Sequence, residues 1–186
     1  MNTKEVYNAL ILGIKDYFSK NNFKKAVVGM SGGIDSSVAC TIAVKALGGK
    51  NVTAILMPDF GTTSKGSVED GEMLAKKLKI QHYSISIGEI AQFSKKIEKQ
   101  LKIKENAYSA ANLKARARMM ILYYFANSNN ALVIGTSDKS EIALGYTTKY
   151  GDNAADILVI GDLWKTEVIA MGKFLVIPEP ILRKKH

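Results

Sequence analysis

The chain has 186 residues, 47% of them hydrophobic, and its 26 basic and 17 acidic residues give a net charge of +9. With a mean hydropathy of −0.01, this is the balance of one folded domain, too short for two and too apolar for disorder. One cysteine, Cys40, and two histidines, His82 and His186, exclude an intrachain disulfide framework and a Cys/His zinc site, and leave little for a Ser-His-Asp triad.

The first element is an amphipathic helix over residues 4–19, with apolar positions at Val6, Leu10, Ile14, Tyr17 and Phe18. A short apolar strand, Ala26 to Met30, meets Gly32 and Gly33, and the next helix runs from Asp35 to Leu47. A second strand, Val52 to Met57, is stopped by Pro58. A polar, glycine-containing loop through Lys65 follows, and Ser67-Val68-Glu69-Asp70 has the capping-box form that opens a helix to about Lys79. A third strand is expected over His82 to Ile87, a charged helix over 89–101, a loop over 102–109 and a strong helix from Ala110 to Ala126. The fourth strand is Ala131 to Gly135 and a short helix covers 138–145. A polar loop follows over 146–155, then a last strand over 156–160 and a helix from Trp164 to Leu175.

Short apolar strands alternating with helices predict one three-layer α/β/α domain around a mainly parallel, Rossmann-like sheet, spanning 1–186. Ligands of such sheets bind beyond the strands' C-terminal ends. That rule selects residues 31–36, 57–65, 135–141 and 146–156. No apolar run approaches the ~20 residues needed to cross a bilayer, and the sequence from Met1 to Glu5 lacks the pattern of an export signal. With the lone cysteine, this predicts a cytoplasmic protein with no membrane partner. Arginine occurs only as Arg116, Arg118 and Arg183, and the longest basic run is Arg183-Lys184-Lys185, so no nucleic-acid arm is expected. The positive charge suits a small polyphosphate ligand, and equally a solvated surface.

Ser31-Gly32-Gly33-Ile34-Asp35-Ser36-Ser37 joins a strand to a helix. Its glycines let the backbone approach an anion, and amides at the helix N-terminus favour negative charge. Ser31, Ser36 and Ser37 add hydroxyls. Asp35 would repel phosphate unless a cation lay between, which points to Mg²⁺; the plainer reading is a helix cap. The loop is neither a Walker P-loop nor a dinucleotide turn. Ser-Gly-Gly-x-Asp-Ser instead resembles the loop of the ATP pyrophosphatases, the PP-loop family, which cleave ATP between its α- and β-phosphates.

Four downstream segments narrow the resemblance: Asn112 to Met119, Gly135 to Glu141, Gly145 to Asp152, and Asp156 with Gly161 to Thr166. In this order and spacing the chain is similar to the ammonia-dependent NAD synthetases, from the first helix to about Lys185. The resemblance implies the adenine nucleotide alpha-hydrolase-like fold and a C–N ligase of NAD biosynthesis. Such an enzyme adenylylates deamido-NAD with ATP, and ammonia then releases NAD and AMP. It assigns ATP binding to Gly29, Met30, Ser31, Gly32, Gly33, Ile34, Asp35, Ser36, Met57, Thr136 and Lys165, with Asp35 and Lys165 catalytic. It assigns Mg²⁺ to Asp35 and Glu141, and deamido-NAD to Arg116, Lys149 and Asp156. It also implies a homodimer, with helix 110–126 and the region 89–101 as interface candidates, and a family C-terminal segment past Lys184-Lys185 that this chain lacks.

Residue arguments stand beside these assignments. On the 110–126 helix, Leu113, Ala117, Met120, Ile121 and Tyr124 predict the buried stripe. That phase sets Arg116 near the stripe as the better substrate ligand and turns Arg118 outward, to solvent or another chain. Met57 reads equally as an adenine neighbour or as core, Cys40 as a small buried hydrophobe, and His82 as structural. Alone, Glu141 would be a dipole-favoured surface carboxylate. The alternatives are another PP-loop adenylating enzyme resembling GMP synthetase, or a catalytically impaired nucleotide-binding fragment. The single cysteine argues against the sulfur-transfer members of the PP-loop family.

Overall fold

The computed structural model describes residues 2–59, 64–104 and 106–184. Five strands form one parallel sheet: β1 (Lys25–Gly29), β2 (Val52–Leu56), β3 (Gln81–Ser84), β4 (Ala131–Gly135) and β5 (Ile157–Leu158), in the order β3-β2-β1-β4-β5. Among the described residues eight α-helices surround it, besides a 3-10 turn at Gly49–Asn51: α1 (Thr3–Lys20), α2 (Ile34–Leu47), α3 (Lys65–Lys77), α4 (Gly88–Leu101), α5 (Ala107–Asn129), α6 (Lys139–Leu144), α7 (Lys165–Phe174) and α8 (Glu179–Leu182).

Strand alternation splits the core between two faces. Ala26, Val28, Ala54, Leu56, Leu132 and Ile134 face α1, α2, α3 and α7, where Ile14, Phe18, Leu74 and Met171 are buried. Val27, Ile55 and Val133 face α4 and α5, against Ile87, Ala126 and Leu122. Each large apolar side chain so buried contributes about 1.5–3 kcal/mol. α2 is the central helix: Ser36, Ser37, Ala39, Cys40 and Ala43 are all buried, and their small size lets it lie close to the sheet. Burial pushes the Cys40 thiol up to about 12, the behaviour of a packing residue rather than a nucleophile.

Several boundaries differ from the sequence expectation. α3 starts at Lys65, because Ser64 and not Ser67 is the N-cap, its hydroxyl accepting from the Ser67 amide. Residues 60–63 of the expected 57–65 loop lie outside the described residues. β5 is only two residues long, since the chain turns at 159–161 and buries Val159 and Ile160 in the α1/α2/α7 core.

The phase of α5 is the largest difference. Met120 is 65% and Tyr124 79% exposed, whereas Ala117, Ile121, Leu122 and Ala126 face the protein. The helix carries apolar residues all round, so periodicity alone did not determine its buried side. In consequence Arg118 turns inward: it is half-buried and its Nε donates to the Met57 carbonyl at 3.2 Å. The expectation that it points outward is overturned.

Candidate nucleotide site

In the order β3-β2-β1-β4-β5 the chain runs outward from β1 in one direction, then returns to its other side as β4. Loops leaving β1 and β4 therefore diverge, and a crevice opens at their C-terminal ends. A cavity of about 380 Å³ lies there. Its walls are Gly29, Met30 and Ser31 after β1, Met57 and Pro58 after β2, and Gly135 and Thr136 at the end of β4, with Arg118, Met119 and Leu122 of α5 closing one side. Mostly apolar walls with a polar end fit a flat heterocycle attached to a charged group.

The glycine loop forms that polar end. Gly32 has φ +77°, a conformation that suits glycine, and a Cβ there would collide with the backbone carbonyl of Ser67. α3 is thus seated directly on the loop. Lys184 clamps the two together, with Nζ 2.8 Å from the Gly32 carbonyl, 3.2 Å from Ser67 Oγ and 2.7 Å from Asp70. Of the three serine hydroxyls, those of Ser36 and Ser37 are buried and donate to the Gly33 carbonyl, so they brace the turn and only Ser31 lines the cavity. Ile34 is a core side chain, leaving its backbone as its contribution. The N-cap of α2, Gly33, makes no side-chain cap bond, which keeps the first-turn amides for an anion.

Three helix N-termini meet beside this loop, those of α2, α6 and α7. Lys165, the first residue of α7, places Nζ 2.6 Å from Asp35 Oδ1 and 2.9 Å from Asp138 Oδ2. Its backbone amide donates to Ser140 Oγ at 2.9 Å, and the Lys139 amide donates to the Leu163 carbonyl at 2.9 Å, which locks α6 to α7. Asp138 caps α6 reciprocally with Glu141: the Glu141 amide donates to Asp138 Oδ1 at 2.8 Å, and the Asp138 amide donates to Glu141 Oε2 at 3.2 Å.

Charge in this corner is unbalanced. Burial alone would lower the Lys165 ammonium, but its hydrogen bond to Asp35 and the charges of Asp35 and Asp138 outweigh it and hold the group above its usual value. Glu141 is raised by burial, with Asp35 and Asp138 adding to the rise and the Asp138 amide and Lys165 opposing it. A carboxylate raised on folding gives stability that is full below about pH 4 and is lost as pH climbs through its folded pKa. Glu141→Gln is therefore expected to raise the melting temperature at pH 7 by about 1–3 °C, with the gain vanishing near pH 3 in calorimetric melts.

The expected dinucleotide ligands sit apart from the cavity lining. Arg116 Nε donates to the Lys149 carbonyl at 3.1 Å, so α5 and the 146–152 segment are joined there. Thr148 reinforces that junction with bonds to Asn112 and Asp152. Lys149 is exposed and lies over the Tyr150 ring. Both Asp156 oxygens are engaged inside the fold: Oδ2 accepts from the Val133 amide at 2.7 Å and Oδ1 from Tyr123. Burial, then the Asp156 charge, pushes the Tyr123 hydroxyl up to about 12.

Sequence reasoning missed four groups here. Arg118 was lost with the helix phase; burial lowers its pKa and the Asp59 charge opposes that. The Lys114–Asp59 ion pair, 2.6 Å long, and the Lys184 clamp join residues with no local signal. Asp138 had one, since Asp138-x-x-Glu141 is a capping box within an already singled-out segment.

A parallel sheet with its switch point beneath a glycine loop, and lysine and carboxylates at the loop's edge, defines an α/β protein of the adenine nucleotide alpha-hydrolase fold. A family model described as NAD synthase matches residues 6–186, and the chain belongs to that family. An NH(3)-dependent NAD(+) synthetase from Staphylothermus marinus is 47% identical over 92% of this chain. The chain spans 62% of that relative's length. A solved NMN synthetase from Francisella tularensis superposes over the whole chain, and over 76% of its own, with TM-score 0.92 and 36% identity. An NH3-dependent NAD synthetase from Campylobacter jejuni matches 99% of this chain, and 78% of its own, at TM-score 0.91 and 35% identity.

Proposed function

We propose that this chain carries out ATP-dependent amidation of deamido-NAD by ammonia, yielding NAD, AMP and pyrophosphate. The observation that carries the reading is a glycine loop that forms one end of an adenosine-sized cavity and has Lys165, paired with Asp35 and Asp138, beside it. Adenine would lie among Met57, Met119 and Leu122, with Thr136 beside the ribose. The amides of residues 29–36 and Lys165 would take the phosphates. A nicotinate carboxylate oxygen bonds to the α-phosphorus as the bond to the β-phosphate oxygen breaks and pyrophosphate leaves. Ammonia then adds to the carbonyl carbon of the mixed anhydride, loses a proton, and expels AMP. Lys165 and the loop amides are set before reaction to stabilise charge on the departing pyrophosphate. Arg116 and Lys149, joined through the Lys149 carbonyl, and Asp156 just before β5 would hold the dinucleotide.

The residues fit Mg²⁺. Asp35, Asp138 and Glu141 outnumber the single Lys165 charge, and Mg²⁺ is commonly held by one or two carboxylates together with substrate phosphates. Among the described residues no group of three or more His, Cys, Asp or Glu side chains has metal-holding geometry, so Asp35 and Glu141 would share the ion with ATP. When bound, Mg²⁺ supplies Lewis-acid neutralisation of the phosphate oxygens.

Incubation with ATP, Mg²⁺, deamido-NAD and ammonium should yield NAD, AMP and pyrophosphate in equal amounts. ADP with free phosphate would refute adenylylation. The acid precursor of NMN, tested in parallel, shows whether a mononucleotide suffices.

A homodimer in the cytoplasm completes the reading. Among the described residues no helix is long and apolar enough to cross a membrane. α4 and α5 expose Phe93, Leu101, Tyr108, Met120 and Tyr124, apolar area of the kind that a second copy covers. Tyr124→Glu is expected to convert the dimer to monomer in sedimentation velocity, with the fold retained.

A further inference from the structure

We propose that Asp138 is a positioning residue, which holds the Lys165 ammonium at the edge of the glycine loop while fixing Glu141 beside it. The inference rests on the reading of Lys165 as the cation for ATP phosphate. Asp138 has no solvent exposure, and its two oxygens are divided between two functional neighbours. Oδ1 accepts from the Glu141 amide, and the return bond from the Asp138 amide occupies Glu141 Oε2. That bond sets the carboxylate's rotation and leaves Oε1 for another partner. Oδ2 receives no well-directed hydrogen bond among the described residues and faces the Lys165 charge at 2.9 Å.

A buried carboxylate oxygen with a single ionic partner is costly unless that partner stays in place. Asp138 therefore disfavours every Lys165 rotamer that leaves it. Lys165 is only 27% exposed, and its other contact, Asp35, lies on the loop side. The ammonium is thus confined between loop and α6, a geometry that restricts a flexible four-carbon chain to the direction of the phosphates. A burial or capping role alone would need no charge at this position, since asparagine and serine cap helices as well.

The test compares wild type with Asp138→Asn and Asp138→Ser, both of which keep a capping oxygen. Two readouts are taken: Mg·ATP affinity by calorimetry, and the rate of Lys165 acetylation in the ligand-free protein by mass spectrometry. Pure electrostatics predicts tighter ATP binding when a negative charge beside a polyanion is removed. Positioning predicts the opposite. The expected result is about tenfold weaker ATP binding, in the range of outer-shell substitutions. Lys165 should also be acetylated at least fivefold faster, with other lysines unchanged. In a Lys165→Gln background, at a temperature where melts show every variant folded, Asp138→Asn should change ATP affinity less than twofold. Unchanged or tightened ATP binding with unchanged Lys165 reactivity overturns the proposal, as does an equal loss in both backgrounds. Wild-type protein without ATP affinity refutes the ATP reading instead, and the acetylation rates then decide the placement of Lys165 by themselves.

Discussion

Gly32→Ala should lower stability by about 2–4 kcal/mol, the sum of a left-handed alanine and an overpacked contact, and weaken ATP binding at least tenfold. Both effects have one origin. At φ +77° an added methyl points into Ser67, whose carbonyl carbon would lie 2.9 Å from the new Cβ. Backbone cannot yield as a flexible side chain does, so either the loop leaves its conformation or the start of α3 lifts from it. Either movement disturbs the Lys184 clamp and reorients the amides that would meet phosphate. Melts and ATP titrations of this one variant check both halves. Full stability with normal affinity would mean that the loop tolerates another path.

The second large effect concerns Lys165. Lys165→Met leaves Asp35, Asp138 and Glu141 without their shared cation, and Asp138 cannot turn to solvent. Removing one partner of a fully buried pair costs about 3–5 kcal/mol. With Lys165 and Asp35 partly exposed the cost is about 2–3 kcal/mol, a fall of about 5–10 °C for a chain of this size. The Lys165 charge opposes the rise of Glu141, so its loss lets that carboxylate rise further. The Glu141 contribution to stability is full in acid and lost as pH rises, so the deficit should be largest at pH 7–8 and smallest near pH 4. Millimolar Mg²⁺ should restore part of the melting temperature if the carboxylates bind it. ATP cleavage should fall at least a hundredfold, the usual cost of removing a preset charge stabiliser. A variant as stable as wild type at every pH would contradict the charge arrangement described here.

Periodicity and turn chemistry located β1, β2 and β4 well because each is a short apolar run ended by glycine, proline or polar residues, whereas β3 is the polar run Gln81–Ser84 and stops short of the expected Ile87. The Ser31–Ser37 loop was readable for the same local reason: glycines, hydroxyls and a carboxylate lie consecutively between strand and helix. β5 was overestimated, since apolar Val159 and Ile160 mimic strand although they pack under α2 and α7. α5 shows where local pattern stops. With apolar residues on every side, its phase depends on which side meets the sheet, and that choice placed Arg118 in the cavity wall and Met120 and Tyr124 outside.

The sequence by itself determined a parallel α/β domain, a glycine- and serine-rich loop after β1, and the segments at the strand ends that gather around it. Those features follow from spacing over a few residues, where sterics and hydrogen bonding act directly. Only the tertiary structure decided which charges meet. Lys165 reaches Asp35 across 130 residues and Lys184 reaches Gly32 across 152, contacts no local pattern encodes. They arise because α2 and α7 pack on one sheet face and α6 is tied to α7, which brings three N-termini together and sets the Lys165 ammonium between Asp35 and Asp138.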